Sequence, residues 1–387
     1  MTAPAHDAVI RAFTTAPDEQ RAADELAEAL RHPALGFVLF FCSMDYDLPR
    51  LATALEQAFG DVPMSGCTSC GELTPEGYAT GTITALGFHR DWFSICHRLI
   101  TPLDSFRSEE AVPLAESLIQ AGYRQPLAPS AEHSFVFTMM DGLSFREELV
   151  LASLSAALGS IPFFGGSAGD GYNLTGTYVY DRGRFYRNAA AVVMVSTALE
   201  FEVFSSHHLL PTTEKLVVTS ADALHRKVYE LNAEPAADVY ARLVGVSVPE
   251  LNPAHFATTP LAVCINERYY ARAIQRVNPD RSLSFYCAVE NGIVLTRMEN
   301  GPLLDDLVEQ MDGVHDRLGT PWVTLTCDCC LRGMELSERG TMEQASRLVS
   351  HYGLVGFSTY GEQINGMHIN HTLTGVAIGR RRRTPQS

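Results

Sequence analysis

Three groups of side chains in this 387-residue chain have the types and spacing to do chemistry. The first is sulfur, with Cys67-x-x-Cys70 early in the chain and Cys327-x-Cys329-Cys330 late in it. Thiolates from the two clusters could meet around zinc in tetrahedral geometry, or carry a redox signal. Reduced, partly buried thiols are the simpler expectation. The second group is imidazole. His207 and His208 sit between an apolar run and Pro211, so that one ring can point inward and the other to solvent. His368 and His371 stand three apart in "GMHINHTLTG", which puts them on opposite faces of a strand. His368 takes a loop position suited to a ligand, and His371 reads as a sheet-face residue.

The third group is carboxylate: Asp45, Asp141, Asp328, Glu72 and Glu362. Paired carboxylates at strand ends can do acid–base work. Here they recur at similar places without a nucleophile–base spacing or a phosphate loop, so turn capping is the expected role and no catalytic activity is expected.

The elements that must position these groups show a repeat. "GCTSCGE" at Gly66–Glu72 and "GFSTYGE" at Gly356–Glu362 share a glycine frame, and Gly165-Gly166-Ser167-Ala168-Gly169-Asp170 is a shorter third copy. Each follows an apolar strand pattern, "FVLFFCSMD" from Phe37, "FVFTMMD" from Phe135 and "WVTLTCD" from Trp322, and precedes another. Helix signals lie between: Asp47 and Pro49 before Leu51, Leu55 and Phe59, and two capping boxes, Ser144–Glu147 and Thr341–Gln344. Within the phrase, Gly71 and Gly361 are expected at φ > 0. These signals predict a mixed α/β fold of repeated strand-helix-strand-strand units in packed sheets, with the helices outside. The stretch 201–300 departs from the repeat; Asn291-Gly292 suggests a hairpin there.

The formal net charge is −16, which argues against a nucleic-acid partner. The start lacks the pattern of a signal peptide, and the most apolar window, 189–199, is short for a membrane span. A soluble, cytoplasmic protein is expected, with its nine cysteines mainly reduced.

"GCTSCGELTPEGY", "FFGGSAGDGY", "VYELNAEPAADVYARLVG", "YYARAIQRVNPDRSLSFYC" and "LVGFSTYGEQINGMHINHTLTGVAIG" resemble the FIST family of bacterial sensory proteins over nearly the whole chain. The resemblance divides it into a FIST N domain, 1–200, with two repeat units at 37–100 and 135–200, a FIST C domain, 201–379, with the third unit at 322–379, and a basic disordered tail, 380–387. "SSHHLLPTTEKLVVTSAD" and "CDCCLRGMELSE" are similar to the nitric-oxide-sensing, heme-binding subgroup called NosP-like. That resemblance implies heme b, nitric oxide as signal, and a partner histidine kinase or cyclic-di-GMP enzyme in a two-component or biofilm pathway; the sequence leaves the formation of a homo-oligomer open. It makes His207 or His208 the first choice for the iron ligand and His368 the second. No Cys-x-x-Cys-His occurs, so covalent attachment of the heme is not expected. The alternatives are a FIST sensor of an amino acid or other metabolite, and a cysteine or zinc redox switch at Cys67, Cys70, Cys327, Cys329 and Cys330.

Overall fold

The computed structural model describes residues 8–124, 127 and 129–381, the last two by their backbone alone. The three repeats fold alike. The first unit runs Leu35–Cys42, helix Leu48–Phe59, Met64–Thr68, hairpin Glu72–Thr74 with Gly77–Ala79, then Ile83–His89. The second runs Ser134–Met140, helix Glu147–Leu158, Phe163–Ser167, hairpin Val179–Asp181 with Arg184–Tyr186, then Ala190–Thr197. The third runs Val323–Cys329, helices Cys330–Glu338 and Met342–Tyr352, Leu354–Thr359, hairpin Glu362–Ile364 with Met367–Ile369, then Leu373–Arg381. In each, the strands flanking the helix pair in parallel and the closing strand returns antiparallel beside the first.

The hairpins are exchanged in a ring. The second unit's hairpin extends the first unit's sheet at Met64–Thr68, the third's extends the second at Phe163–Ser167, and the first's extends the third at Leu354–Thr359. The glycine phrases close this ring: Cys70 N–H donates to the Ser358 carbonyl, Gly169 N–H to Thr68, and Tyr360 N–H to Ser167, at 2.9, 3.1 and 3.1 Å. No unit therefore completes its sheet alone. Phe41, Phe137 and Phe357, one from each unit, meet in the shared core, with Phe41 and Phe357 stacked at 4.3 Å.

This explains the repeated glycine frame. Gly66, Gly165 and Gly356 lie opposite Phe40, Thr138 and Thr326 on the parallel neighbour. At each, the neighbour's carbonyl oxygen occupies the place of a Cβ. Gly71 does have a positive φ of 141°. Gly361 does not; its side is filled by the His368 ring, so the expectation of φ > 0 there is corrected to one of close packing.

The stretch Leu209–Asn300 forms an eight-stranded sheet around the long strand Leu209–Asp222. The expected hairpin at Asn291-Gly292 does not form. Leu283–Phe285 pairs with Lys227–Leu231 and Ile274–Val277, while Val294–Asn300 pairs with Leu209–Asp222. The Ser144–Glu147 capping box is also absent: the helix begins at Glu147, after Phe145 at φ 56°, and Glu147 is drawn to Arg226 instead. Thr341 does precede its helix but caps it with no side-chain bond. Of the expected disordered tail, 380 and 381 instead finish the strand Leu373–Arg381, and 382–387 lie outside the described residues. No helix among the described residues is long and apolar enough to cross a membrane.

Candidate functional site

A cleft of about 550 Å³ opens where the eight-stranded sheet meets the third unit's hairpin. Leu209, Pro211, Ile364, Met367 and Ile369 give it apolar walls, Tyr269 and Tyr270 an aromatic edge, and Arg268 a cation. Its volume suits a cofactor or small ligand, a class of site that is mostly apolar with a few placed polar groups. A second hollow of about 620 Å³, lined by Met44, Asp47, Tyr178, Arg184 and Phe185 among others, has no imidazole or thiol in its wall.

The adjacent histidines part ways here. His207 lines the cleft and is exposed at its mouth, yet the surrounding walls desolvate its ring enough to lower its pKa, which favours the neutral, ligand-competent form. His208 is 4% exposed and points the opposite way. Arg332 Nη1, which can only donate, meets its Nδ1 at 3.2 Å. The proton is thereby left on Nε2, which donates to Glu335 Oε2 at 2.7 Å. Burial, reinforced by Arg332, depresses the His208 pKa to about 2, so the ring is neutral with both nitrogens engaged. Ligation of a metal by either nitrogen of His208 would displace one of these bonds.

His368 is buried and does not line the cleft. Its Nδ1 faces Glu148 Oε1 at 3.3 Å, and its Nε2 lies against Gly361 without a partner. His371 is not on a strand. It occupies a left-handed turn at φ 54°, the place held by Gly81 (68°) and Asn188 (50°) in the other units, and both its ring nitrogens are buried and unpartnered. Burial lowers its pKa to about 3.

The cysteines divide between two places. Cys67 and Cys327 belong to the shared apolar core. Cys70, Cys329 and Cys330 come together as free thiols in a smaller cluster with Tyr286 and Tyr360. Burial pushes the thiols of Cys67, Cys70, Cys327 and Cys329 up, toward the protonated form that is a poor nucleophile. Among the described residues no group of three or more His, Cys, Asp or Glu is placed to hold a metal ion.

The carboxylates also sort by place. Glu72 accepts from the Ser69 and Thr82 hydroxyls, and Glu362 accepts from those of Thr359 and Thr372. The second unit has no glutamate at this point, and Asp141 instead accepts from Asn188 N–H and the Thr177 hydroxyl. Asp45 is bonded by Ser43. Asp328 departs from the capping role: it pairs with Arg332 at 2.6 Å and accepts from Tyr78.

Burial raises the Glu72 pKa from 4.5 to about 7. Because the folded state holds this proton more tightly than the unfolded chain, its contribution is full below the unfolded pKa and is lost as pH rises toward 7. We expect Glu72→Gln to remove a stability loss of up to about 3 kcal/mol over that window, read by urea unfolding at a series of pH values. Parallel wild-type and variant profiles would refute it.

Sequence reasoning did not find Arg332, Glu335, Arg226, Arg268 or the two tyrosines. The i, i+3 spacing of Arg332 and Glu335 on one helix was the available signal for a paired face, although their burial at 1% and 0% exposure is not visible in it.

The FIST N domain model matches residues 36–234, and the FIST C domain model matches 236–365. The chain belongs to the FIST family. FIST domains are sensory domains that bind small ligands, and the N-domain match takes in the first two units together with the start of the eight-stranded sheet. The C-domain match takes in most of that sheet and much of the third unit, so the FIST C segment supplies Arg268, Tyr269 and Tyr270 to the cleft and the FIST N segment supplies His207. No curated protein matches the chain.

Proposed function

We propose that this FIST protein is a cytoplasmic heme-binding sensor of nitric oxide that acts by binding and signals to a histidine kinase or a cyclic-di-GMP enzyme. The observation that carries the reading is His207, a desolvated imidazole at the edge of an apolar, aromatic-walled cleft. The stretch that resembles the NosP-like subgroup runs through this residue.

The donor set fits heme b. His207 offers one neutral nitrogen, the aliphatic and tyrosine walls suit a porphyrin face, and Arg268 suits a propionate. Heme, when bound, supplies an iron that takes a diatomic gas. The protein's own part is to hold the His207 ring, exclude water along Ile364, Met367 and Ile369, and neutralise charge at Arg268. His208 is spoken for by Arg332 and Glu335, which narrows the choice within the pair to His207.

The test is a visible-light titration of purified protein with hemin, followed by reduction and nitric oxide. A saturable Soret band that shifts on exposure of ferrous protein to nitric oxide is expected. A protein that takes up no hemin under any loading condition is not a heme sensor, and a small-metabolite FIST sensor using the same cleft replaces it.

A further inference from the structure

At two places in the cleft wall a buried histidine between lining residues turns toward the same helix. His207 and Leu209 flank His208; Asn370 and Thr372 flank His371. Both buried rings lie beside the helix Cys330–Glu338. His208 is bonded to its Glu335 and Arg332, and His371 is close enough to feel the charges of His208, Glu335 and Arg332. The surroundings are polar without being fully paired: Asp306 Oδ2, Asn300 Oδ1 and both nitrogens of His371 are buried and lack partners. Asn300 and Asp306 belong to the same neighbourhood, the first through Glu335 and the second through Arg332 and His208. Unsatisfied buried polar groups are uncommon and costly, so a rearrangement that pairs them would be favoured.

We propose that occupancy of the cleft at His207 is transmitted to the helix Cys330–Glu338 through His208, making this helix the element that reports the ligand state. The proposal rests on the heme reading of the same cleft. His207 and His208 are successive residues, so their Cα atoms are held about 3.8 Å apart. A ligand that shifts the backbone at His207 on binding its ring also shifts His208 and strains the bonds to Glu335 and Arg332. The helix ends at the exposed residues Ser337 and Glu338, followed by exposed Arg339, so a change in its register or stability emerges at the surface. His208 and Glu335 thus relay the state of His207 to the helix.

The experiment is amide hydrogen exchange on the full chain over 331–339, with and without hemin, for wild type, Glu335→Gln and Glu335→Leu. Hemin uptake is followed in parallel by the Soret band. Glutamine keeps an acceptor for His208 Nε2 and leucine does not. We expect hemin to change exchange in this helix at least threefold in wild type and in Glu335→Gln, and to leave it unchanged in Glu335→Leu. Hemin that binds wild type without altering exchange in this helix overturns the proposal while leaving the heme reading intact, and so does a Glu335→Leu variant that responds like wild type. If hemin does not bind wild type at all, both fall. Should Glu335→Leu fail to fold, the wild-type comparison alone decides.

Discussion

Gly356→Val is expected to destabilise the protein by at least ~3 kcal/mol, a large share of the ~5–15 kcal/mol margin of an ordinary domain. The Thr326 carbonyl stands where the new Cβ would go, and Gly356 pairs on its other side with Leu73 of the first unit's hairpin. Moving the backbone to relieve the clash breaks a parallel ladder on one side and the hairpin exchange on the other. The damage should therefore spread beyond the third unit. Chemical unfolding followed by circular dichroism reads the loss, and exchange of amides 72–79 reads its spread. A variant with wild-type stability would show that the glycine frame is not a requirement of close strand packing. Gly66→Val and Gly165→Val face the same obstacle at Phe40 and Thr138 and serve as independent repeats of the test.

Arg226→Ala is the second large effect. Arg226 is 1% exposed and enters the second unit from the eight-stranded sheet, donating to Glu147 Oε2 at 2.6 Å, to Glu148 Oε2 at 2.6 Å and to the Tyr286 carbonyl at 2.5 Å. Its guanidinium also lies 5.3 Å from the Phe145 ring centre. Alanine leaves Glu147 buried and uncompensated, a loss of about 3–5 kcal/mol for a broken buried pair. Lysine keeps the charge but cannot span both carboxylates in one plane, so Arg226→Lys should recover only part. Urea unfolding measures both. An alanine variant within about 0.5 kcal/mol of wild type would mean that the eight-stranded sheet is held to the core by its other contacts.

Much of the fold was legible because its signals are local. The three apolar strands, the helix capped by Asp47 with Pro49 in its first turn, and the glycine phrase all follow from strand pattern, capping and the absence of side chains. The exchange of hairpins was not legible, because three-residue strands such as Glu72–Thr74 carry too little pattern to name a partner. The Asn291-Gly292 turn misled for a related reason. A positive φ at Gly292 was available and used, but its N–H bonds to the Val218 carbonyl on a third strand instead of closing a hairpin. Ser144 and Glu147 do not form a capping box because the helix starts only at Glu147, whose carboxylate takes both the Ser144 hydroxyl and a buried arginine from far along the chain.

The candidate site was legible in part. The spacing of two adjacent histidines before Pro211 correctly suggested opposite facings, with one inward and one toward solvent. It could not say which partner the inward ring would find. His371 looked like a strand residue because the apolar run resumes at Leu373, yet its place in the repeat is a left-handed turn also held by Gly81 and Asn188. The three thiols gathered at Cys70 come from two units, Cys70 from the first and Cys329 and Cys330 from the third, and their meeting depends on the ring of exchanged hairpins.

The most direct test of the ligand site is the heme content of His207→Ala beside that of His368→Ala, with circular dichroism as the folding control. His207 is exposed in the cleft, so its loss should leave the fold intact while sharply lowering heme retention and moving the ferrous Soret band. His368 packs on Gly361 and faces Glu148, so its variant should keep wild-type heme and spectrum in whatever fraction folds. A folded His207→Ala protein that retains heme with an unchanged Soret band would contradict the account.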